Sequence, residues 1–339
     1  MSAPAVSVLM AAYNAERYLR PAVESILNQT FRDFEFLIID DGSADGTAAI
    51  LQEYAKADGR IRIMHHQNSG PAIARNQGLA IAGGRYVAIM DADDVAFPVR
   101  LERQVATFER SPGLGLLGGA MIFIDQAGRE VGRGGHPQNS ADLKAALVRG
   151  NCFAHPTVMF PRNVVAEVGV YRPCFLQSED YDLCLRIAER YEVGNLAEPL
   201  VCYRLHPSQV STTHVRQEAV SVLAAQCAAR LRQAGAPDPL DGVAKITPEL
   251  LQELGVAPET IGTESVHYCL ALAKRMLKCG YLQAAEQALH EARGCLQEHQ
   301  LGRKPRAEVY MGLSRICRKQ GKYLQSARWA AAGGLGLFR

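Results

Sequence analysis

The chain has 339 residues, about twice the usual length of one domain, so two domains are the first expectation. Its 37 Lys plus Arg against 35 Asp plus Glu give a net charge of +2, which argues against a dedicated nucleic-acid binder, and 48% hydrophobic with 21% charged residues excludes disorder, collagen-like sequence and low complexity. Nine cysteines, odd in number and without a CxxC pair, point to thiols in a reducing, cytoplasmic compartment; the first apolar run lacks a basic leader, and no stretch reaches the ~18 apolar residues of a membrane span.

In chain order, Val6 to Ala12, Phe34 to Asp40, Ile61 to His65 and Tyr86 to Met90 read as strands. Each is followed by a helical pattern, at 20–29, 44–57, 71–82 and 98–110, with Pro21 and Pro98 early in theirs. VSVLMAA and FEFLIID are almost continuously apolar, as strands buried on both faces are, so a parallel sheet covered by helices is expected. From 113 to 210 the pattern turns to Gly-rich turns, a strand AMIFID, another from His155 to Phe160, a helix from Ser178 to Arg190 and a last strand from Leu200 to Arg204. This reads as a mixed extension of the same sheet.

Beyond His214 the strand signal ends. The expected division is a catalytic α/β domain over 1–213, a helical or irregular connector over 214–262, and helical hairpins over 263–339. YLQAAEQAL at 281 recurs as YLQSARWAA at 323, an offset of 42 residues that suits either tetratricopeptide-like hairpins or an Ala-rich bundle.

Chemistry concentrates at two strand ends. The second strand closes on Asp40-Asp41-Gly42-Ser43 and the fourth on Asp91-Ala92-Asp93-Asp94. Ligands of open α/β sheets bind beyond the carboxyl ends of the strands, so both clusters should face one crevice. The first cluster also fits a helix cap with turn residues. Three carboxylates within four residues in the second repel one another, and a hard divalent cation with oxygen ligands is the natural remedy. Ala11-Ala12-Tyr13-Asn14 has no glycine where a dinucleotide fingerprint needs it, Gly113 to Gly118 precedes a strand instead of a helix, and no P-loop occurs.

Taken together, VSVLMAAYN, FEFLIIDDGSADGT, NSGPAIARNQGLAIAGGRYVAIMDADD and LQSEDYDLCLR resemble family 2 glycosyltransferases of the GT-A fold, over about residues 1–211. The resemblance implies a Rossmann-like mixed sheet with helices on both faces, followed here by an all-α C-terminal domain. It implies a nucleotide-sugar donor, with uridine suiting a base pocket of Ala11, Tyr13 and Asp41. Arg75 would reach the base or diphosphate, unless it is a surface helix residue. Asp91 would contact the ribose and Asp93 would ligate Mn2+ or Mg2+ across the phosphates, with His206, followed by Ser211, as a further metal ligand. Asp180 would be the base that takes the acceptor hydroxyl proton, giving inversion at the anomeric carbon, and Glu179 would bind acceptor. Ser178 capping a helix with acids in its first turn is the plain alternative; Asp182 fits that best, since Arg186 lies four residues on. His155 would touch the acceptor, although packing accounts for it nearly as well.

The implied activity is a metal-dependent inverting transfer to a glycan or lipid-linked acceptor, as in bacterial surface polysaccharide synthesis. A catalytically silent scaffold is the alternative, but Asp93 and the Ser178-Glu179-Asp180 acids are all retained. A nucleotidyltransferase would need a Gly-rich basic loop that Ala11 to Asn14 lacks. From 214 onward there are 17 basic against 11 acidic residues; before it, 20 against 24. From Arg303 to the end nine basic residues face one acid, interleaved with Tyr310, Ile316, Tyr323, Trp329 and Phe338. Such a run suits a solvated helix face, an anionic membrane surface on the inner side of the membrane, an anionic lipid-linked acceptor or a protein partner, and nucleic acid fits it least.

Overall fold

The computed structural model describes residues 3–209, 212 and 214–334; Ser211 and Phe338 lie outside these. Two compact units emerge, one of Met1–Phe175, Glu179–Arg204 and Arg232–Ala236, the other of Leu176–Ser178, Leu205–Leu231 and Pro237–Arg339.

The first unit is built on one mixed sheet. Strands β1 (Val6–Ala12), β2 (Phe34–Asp40), β3 (Ile61–His65) and β4 (Tyr86–Asp91) alternate with helices α1 (Glu16–Leu27), α2 (Thr47–Ala57) and α3 (Pro71–Ile81). There follow β5 (Val95–Ala96), α4 (Arg100–Arg110), β6 (Leu114–Ile124), β7 (Glu130–Gly134), α5 (Ser140–Leu147), a 3-10 turn at His155–Thr157, β8 (Met159–Pro161), α6 (Arg162–Val168), α7 (Glu179–Arg190) and β9 (Glu192–Arg204). The strand order is β3-β2-β1-β4-β8-β6-β9-β5, with β7 paired to β6. β1 to β4 run parallel and β8 lies antiparallel to β4, so the sheet is parallel on the side of the acidic strand ends and mixed beyond. Its apolar layer includes Val6, Val8, Met10, Phe36, Ile38, Ala88 and Met90, packed against Leu19, Val23 and Ile26 of α1 and Leu101, Val105 and Phe108 of α4.

Three local expectations change. Helix α1 begins at Glu16, because Thr47 Oγ1 accepts from Ala15 N at 2.8 Å and Asp45 Oδ2 from Glu16 N at 3.1 Å. A distant loop thus caps the first turn, and Pro21 falls inside the helix; Pro98 precedes α4 altogether. The glycines at 115, 118 and 119 form no turn but lie within β6, where a Cβ at Gly119 would come 2.5 Å from Leu200 and one at Gly115 2.4 Å from Tyr191. Close packing selects them. The segment expected as a strand from His155 is a 3-10 turn before the short β8, and β9 starts at Glu192, eight residues before the expected Leu200.

The second unit is helical: α8 (Val215–Gln233, through Leu231), α9 (Pro248–Glu253), α10 (Pro258–Lys278), α11 (Leu282–Glu298), α12 (Arg303–Lys319) and α13 (Tyr323–Ala332). α10 packs on α11, α11 on α12 and α12 on α13. Small residues line the contacts, with Ala285, Ala288, Ala292 and Cys295 buried on α11 against Val266, Cys269 and Ala273 on α10. The recurring YLQ segments open the second helices of the two hairpins, α11 and α13. The nine cysteines are thiols, seven of them buried. Among the described residues no helix is long and apolar enough to cross a membrane.

Candidate active site

Parallel pairing lays out the crevice. Ala11 stands opposite Ile39 on β2 and Asp91 on β4, and Ala12 opposite Asp40, so the three strands end level and their loops rise from one edge of the sheet. Tyr13, in the loop after β1, keeps 52% of its surface exposed.

The two neighbouring carboxylates at the end of β2 serve different ends. Asp40 closes its own turn, Oδ1 accepting from Ser43 N at 3.1 Å, while Oδ2 pairs with His65 Nδ1 at 3.1 Å. The local turn chemistry read in DDGS therefore belongs to Asp40. Asp41 Oδ1 accepts from Ser69 N at 2.9 Å and Ser69 Oγ at 3.1 Å, and Oδ2 from Gly70 N at 2.9 Å. A carboxylate offers about four acceptor positions, so a further N–H can be taken on Oδ2. Gly42, at φ 77°, makes this approach feasible: a Cβ there would lie 2.7 Å from Asn68 N.

The loops after β1 and β2 are laced together. Asn14 N donates to Ser43 Oγ, Ala44 N to Asn14 Oδ1, and Gly46 N to Glu16 Oε2, beside the two bonds that cap α1.

Arg75 is buried on α3 instead of lying on the surface. Its Nη2 donates to Asp91 Oδ1 at 3.1 Å and its Nη1 to Glu179 Oε1, and its guanidinium lies 5.8 Å from the Tyr171 ring centre. Burial pulls its pKa down, but Glu179 and Asp91 outweigh it and the net shift is upward. Burial raises Asp91, with Asp93 adding to the rise and Arg75 opposing it. Asp94 is pushed well above the carboxylate range by burial, then by Asp93 and Asp91; its Oδ1 accepts from Arg204 N at 2.7 Å, and its buried Oδ2 has no hydrogen-bond partner among the described residues. Arg204 also donates through Nε to Asp93 O at 2.8 Å and stacks 4.8 Å from the Tyr18 ring centre, which pins the turn. Arg100, fully buried, donates to Ile89 O at 2.7 Å and Val158 O at 3.3 Å and joins β4 to the segment before β8.

Helix α7 brings the acids Glu179, Asp180 and Asp182. It begins at Glu179, preceded by Ser178 at φ 60°, the left-handed region that non-glycine residues seldom enter. Glu179 is buried against Arg75, and Asp180 Oδ2 accepts from Asn151 Nδ2 at 2.9 Å. Asp182 is fully buried and pairs with Arg186 at 2.9 Å, as the spacing predicts, and with Arg172 at 3.4 Å. His155 Nε2 shares a hydrogen bond of 3.0 Å with the Tyr171 hydroxyl, and burial, then Arg75 and Arg100, hold its pKa well below the usual histidine range. Asp91, Arg75, Glu179, Tyr171 and His155 thus form one connected cluster, with Asp180 beside Glu179 on α7 and within electrostatic reach of Arg75 and Tyr171. His206 belongs to the second unit; it is buried, with Nδ1 3.0 Å from Ser208 Oγ and its backbone N–H donating to Gln209 Oε1 at 2.9 Å.

The donor set suits a divalent ion that is shared with a ligand. Among the described residues no three His, Cys, Asp or Glu side chains gather to hold a metal by themselves. Mg2+ and Mn2+ take one or two carboxylates and complete their shell from phosphates and water, and a cation here would relieve the repulsion that adds to the burial-driven rise of Asp91 and Asp94. Asn151, Tyr171 and Arg204 are the members of the site that sequence reasoning missed. Only Asn151 carried a hint, as a polar residue four positions before His155.

With this geometry in hand, comparison with known proteins is informative. The Glycosyl transferase family 2 model matches residues 7–168. An uncharacterized glycosyltransferase of Methanocaldococcus jannaschii is 36% identical over 211 residues, 60% of this chain and 72% of its own. The O-antigen biosynthesis glycosyltransferase WbnJ of Escherichia coli is 35% identical over 205 residues, 59% of this chain and 80% of its own. Among solved structures, S. aureus TarS 1–349 in complex with UDP-GlcNAc is 14% identical with a TM-score of 0.52, covering 98% of this chain and 92% of that one. The mannosyltransferase PcManGT of Pyrobaculum calidifontis, in complex with GDP-Man and Mn2+, is 18% identical with a TM-score of 0.53, covering 97% and 87%. The two structures share the fold.

Proposed function

The chain belongs to glycosyltransferase family 2, and from that premise we propose that it is a metal-dependent, inverting hexosyl- or N-acetylhexosaminyl-transferase acting from a nucleotide sugar, UDP-linked, on a hydroxyl of a glycan or lipid-linked acceptor in surface polysaccharide synthesis. The observation that carries the reading is the pair of hydrogen bonds that Arg75 donates, one to Asp91 and one to Glu179, which joins the carboxylates assigned to donor and acceptor in one cluster.

In this reading Ala11 and Tyr13 flank the base, Tyr13 by stacking, and Asp41 accepts a base N–H on Oδ2. Asp91 takes the ribose. Asp93 would hold Mn2+ or Mg2+, with His206 as the further ligand that the family resemblance implies; when bound, the ion would supply Lewis-acid neutralisation of charge on the diphosphate leaving group. Arg75 keeps Asp91 and Glu179 in place, Glu179 and His155 border the acceptor, and Asp180 removes the proton of the attacking hydroxyl. Attack in line with the leaving group inverts the anomeric centre. The catalytic portion is residues 1–213; the connector (214–262) and the tetratricopeptide-like hairpins (263–339) place the enzyme. Exposed Lys304, Arg315, Arg318, Lys319, Lys322 and Arg328 on or beside α12 and α13 support peripheral contact with an anionic membrane.

The test is a panel of UDP-glucose, UDP-galactose, UDP-N-acetylglucosamine and GDP-mannose, scored by nucleoside diphosphate release with Mn2+, Mg2+ or EDTA. Release from a UDP-sugar that EDTA stops is expected. Release unaffected by EDTA removes the metal, and preference for GDP-mannose removes the uridine assignment.

A further inference from the structure

We propose that Asn151 is the positioning residue for the acceptor-side base, its side-chain amide holding the Asp180 carboxylate in one orientation. The inference rests on Asp180 being that base. Asn151 Nδ2 donates to Asp180 Oδ2 at 2.9 Å, across 29 positions of the chain. The other end of the amide is committed, since Asn151 Oδ1 accepts from Phe153 N at 3.0 Å, and this decides that the NH2 faces the carboxylate.

Both partners sit on braced backbone. Asn195 of β9 donates through Nδ2 to Cys152 O at 3.0 Å and to Pro137 O at 3.2 Å, which holds the loop that carries Asn151. The hydroxyl of Tyr181, next to Asp180, donates to Leu147 O at the end of α5, four residues before Asn151. The aspartate χ2 torsion is broad and roughly two-fold, so an unheld carboxylate turns about it. A base must present one lone pair along the direction of the departing proton, and the amide on Oδ2 sets that direction for Oδ1. The same donor favours the charged carboxylate, the form a base needs. Among the described residues, the groups that act on Asp180 include its neighbour Glu179, Arg75 from α3, Tyr171 from the loop after α6, and Cys184 one turn along α7.

Two substitutions separate positioning from support. Asn151→Asp keeps an acceptor for Phe153 N and nearly the same volume while removing the donor; Asn151→Ala removes both. With the full chain and the donor of the panel it hydrolyses fastest, both variants should lose about 10²-fold in kcat with donor KM near the parent value. The acid limb of the pH profile should also move to higher pH in Asn151→Ala, an effect that a purely structural role would not produce. Thermal melting verifies folding, and if Asn151→Ala does not fold, Asn151→Asp carries the test. Parent-like kcat and an unmoved acid limb overturn the proposal. Asp180→Asn distinguishes the two levels: if it retains full turnover, the base assignment itself fails, whereas an inactive Asp180→Asn beside parent-like Asn151 variants removes only the positioning role.

Discussion

The guanidinium of Arg75 donates to the carboxylate of Glu179 across 104 positions of the chain, and through its other terminal nitrogen it reaches Asp91. Removing it strands two partly or wholly buried carboxylates. Arg75→Met should therefore cost about 3–5 kcal/mol in urea denaturation. Arg75→Lys should recover little, because a single ammonium cannot fork between two acids. A loss below about 1 kcal/mol for Arg75→Met would mean that the acids relax into solvent.

Gly42 tests the nucleotide side. Gly42→Ala places a Cβ 2.7 Å from the backbone nitrogen of Asn68 on a residue at φ 77°. Left-handed backbone alone costs an alanine about 1–2 kcal/mol, and the clash adds to it. The variant should melt lower and bind nucleotide more weakly, since Asp41 and the Ser69-Gly70 turn it anchors must shift. Unchanged nucleotide affinity by calorimetry would separate this turn from the base pocket.

In α8, burial lifts the Glu218 carboxyl from 4.5 to about 7, with Arg275 opposing, and its Oε2 has no hydrogen-bond partner among the described residues. Between those values the folded chain keeps a proton that the unfolded chain has released, so stability falls as pH rises from about 4.5 to 7. The full shift is worth about 3 kcal/mol. Glu218→Gln should melt with the parent near pH 4.5 and above it at pH 8. Melting curves that stay parallel over that range would contradict the buried-acid assignment.

Membrane contact has its own readout. Lys304, Arg315, Arg318 and Lys319 fall within roughly 100° of arc on α12, opposite the buried face of Val309, Leu313 and Ile316. Leu324 and Tyr323 on α13 are 86% and 71% exposed. The full chain should float with phosphatidylglycerol vesicles and not with phosphatidylcholine alone, less as salt rises. The triple change Arg315→Ala, Arg318→Ala, Lys319→Ala should weaken this about 10²-fold. No flotation at low salt would leave the basic face to a protein partner or to solvent.

Much of the fold was legible because its signal is local. β1 and β2 follow almost continuous apolar runs, and the limits of β1 to β4 agree with the sequence reading to within a residue. The start of α1 was not legible, since the acceptors that cap it, Asp45 and Thr47, come from a loop some thirty residues on. Gly115 and Gly119 looked like turn residues; their selection comes from Tyr191 and Leu200 pressing on the strand, a tertiary fact. Within the site, the carboxylates announced themselves by crowding. Their partners did not: Arg75 was expected at the base or diphosphate and not between Asp91 and Glu179, and Asn151 has meaning only beside Asp180.

The lacing of the loops after β1 and β2 bears on how a donor is received. Five hydrogen bonds tie Asn14, Ala15 and Glu16 to Ser43, Ala44, Asp45, Gly46 and Thr47 while the chain folds. Fixing one residue's backbone carries about 1–2 kcal/mol of entropy, so a rim ordered in advance spares the encounter with nucleotide that penalty. Under the proposed donor site, nucleotide capture at this rim would be a rigid docking, with selectivity among bases set by fit on arrival and not by loop closure afterwards.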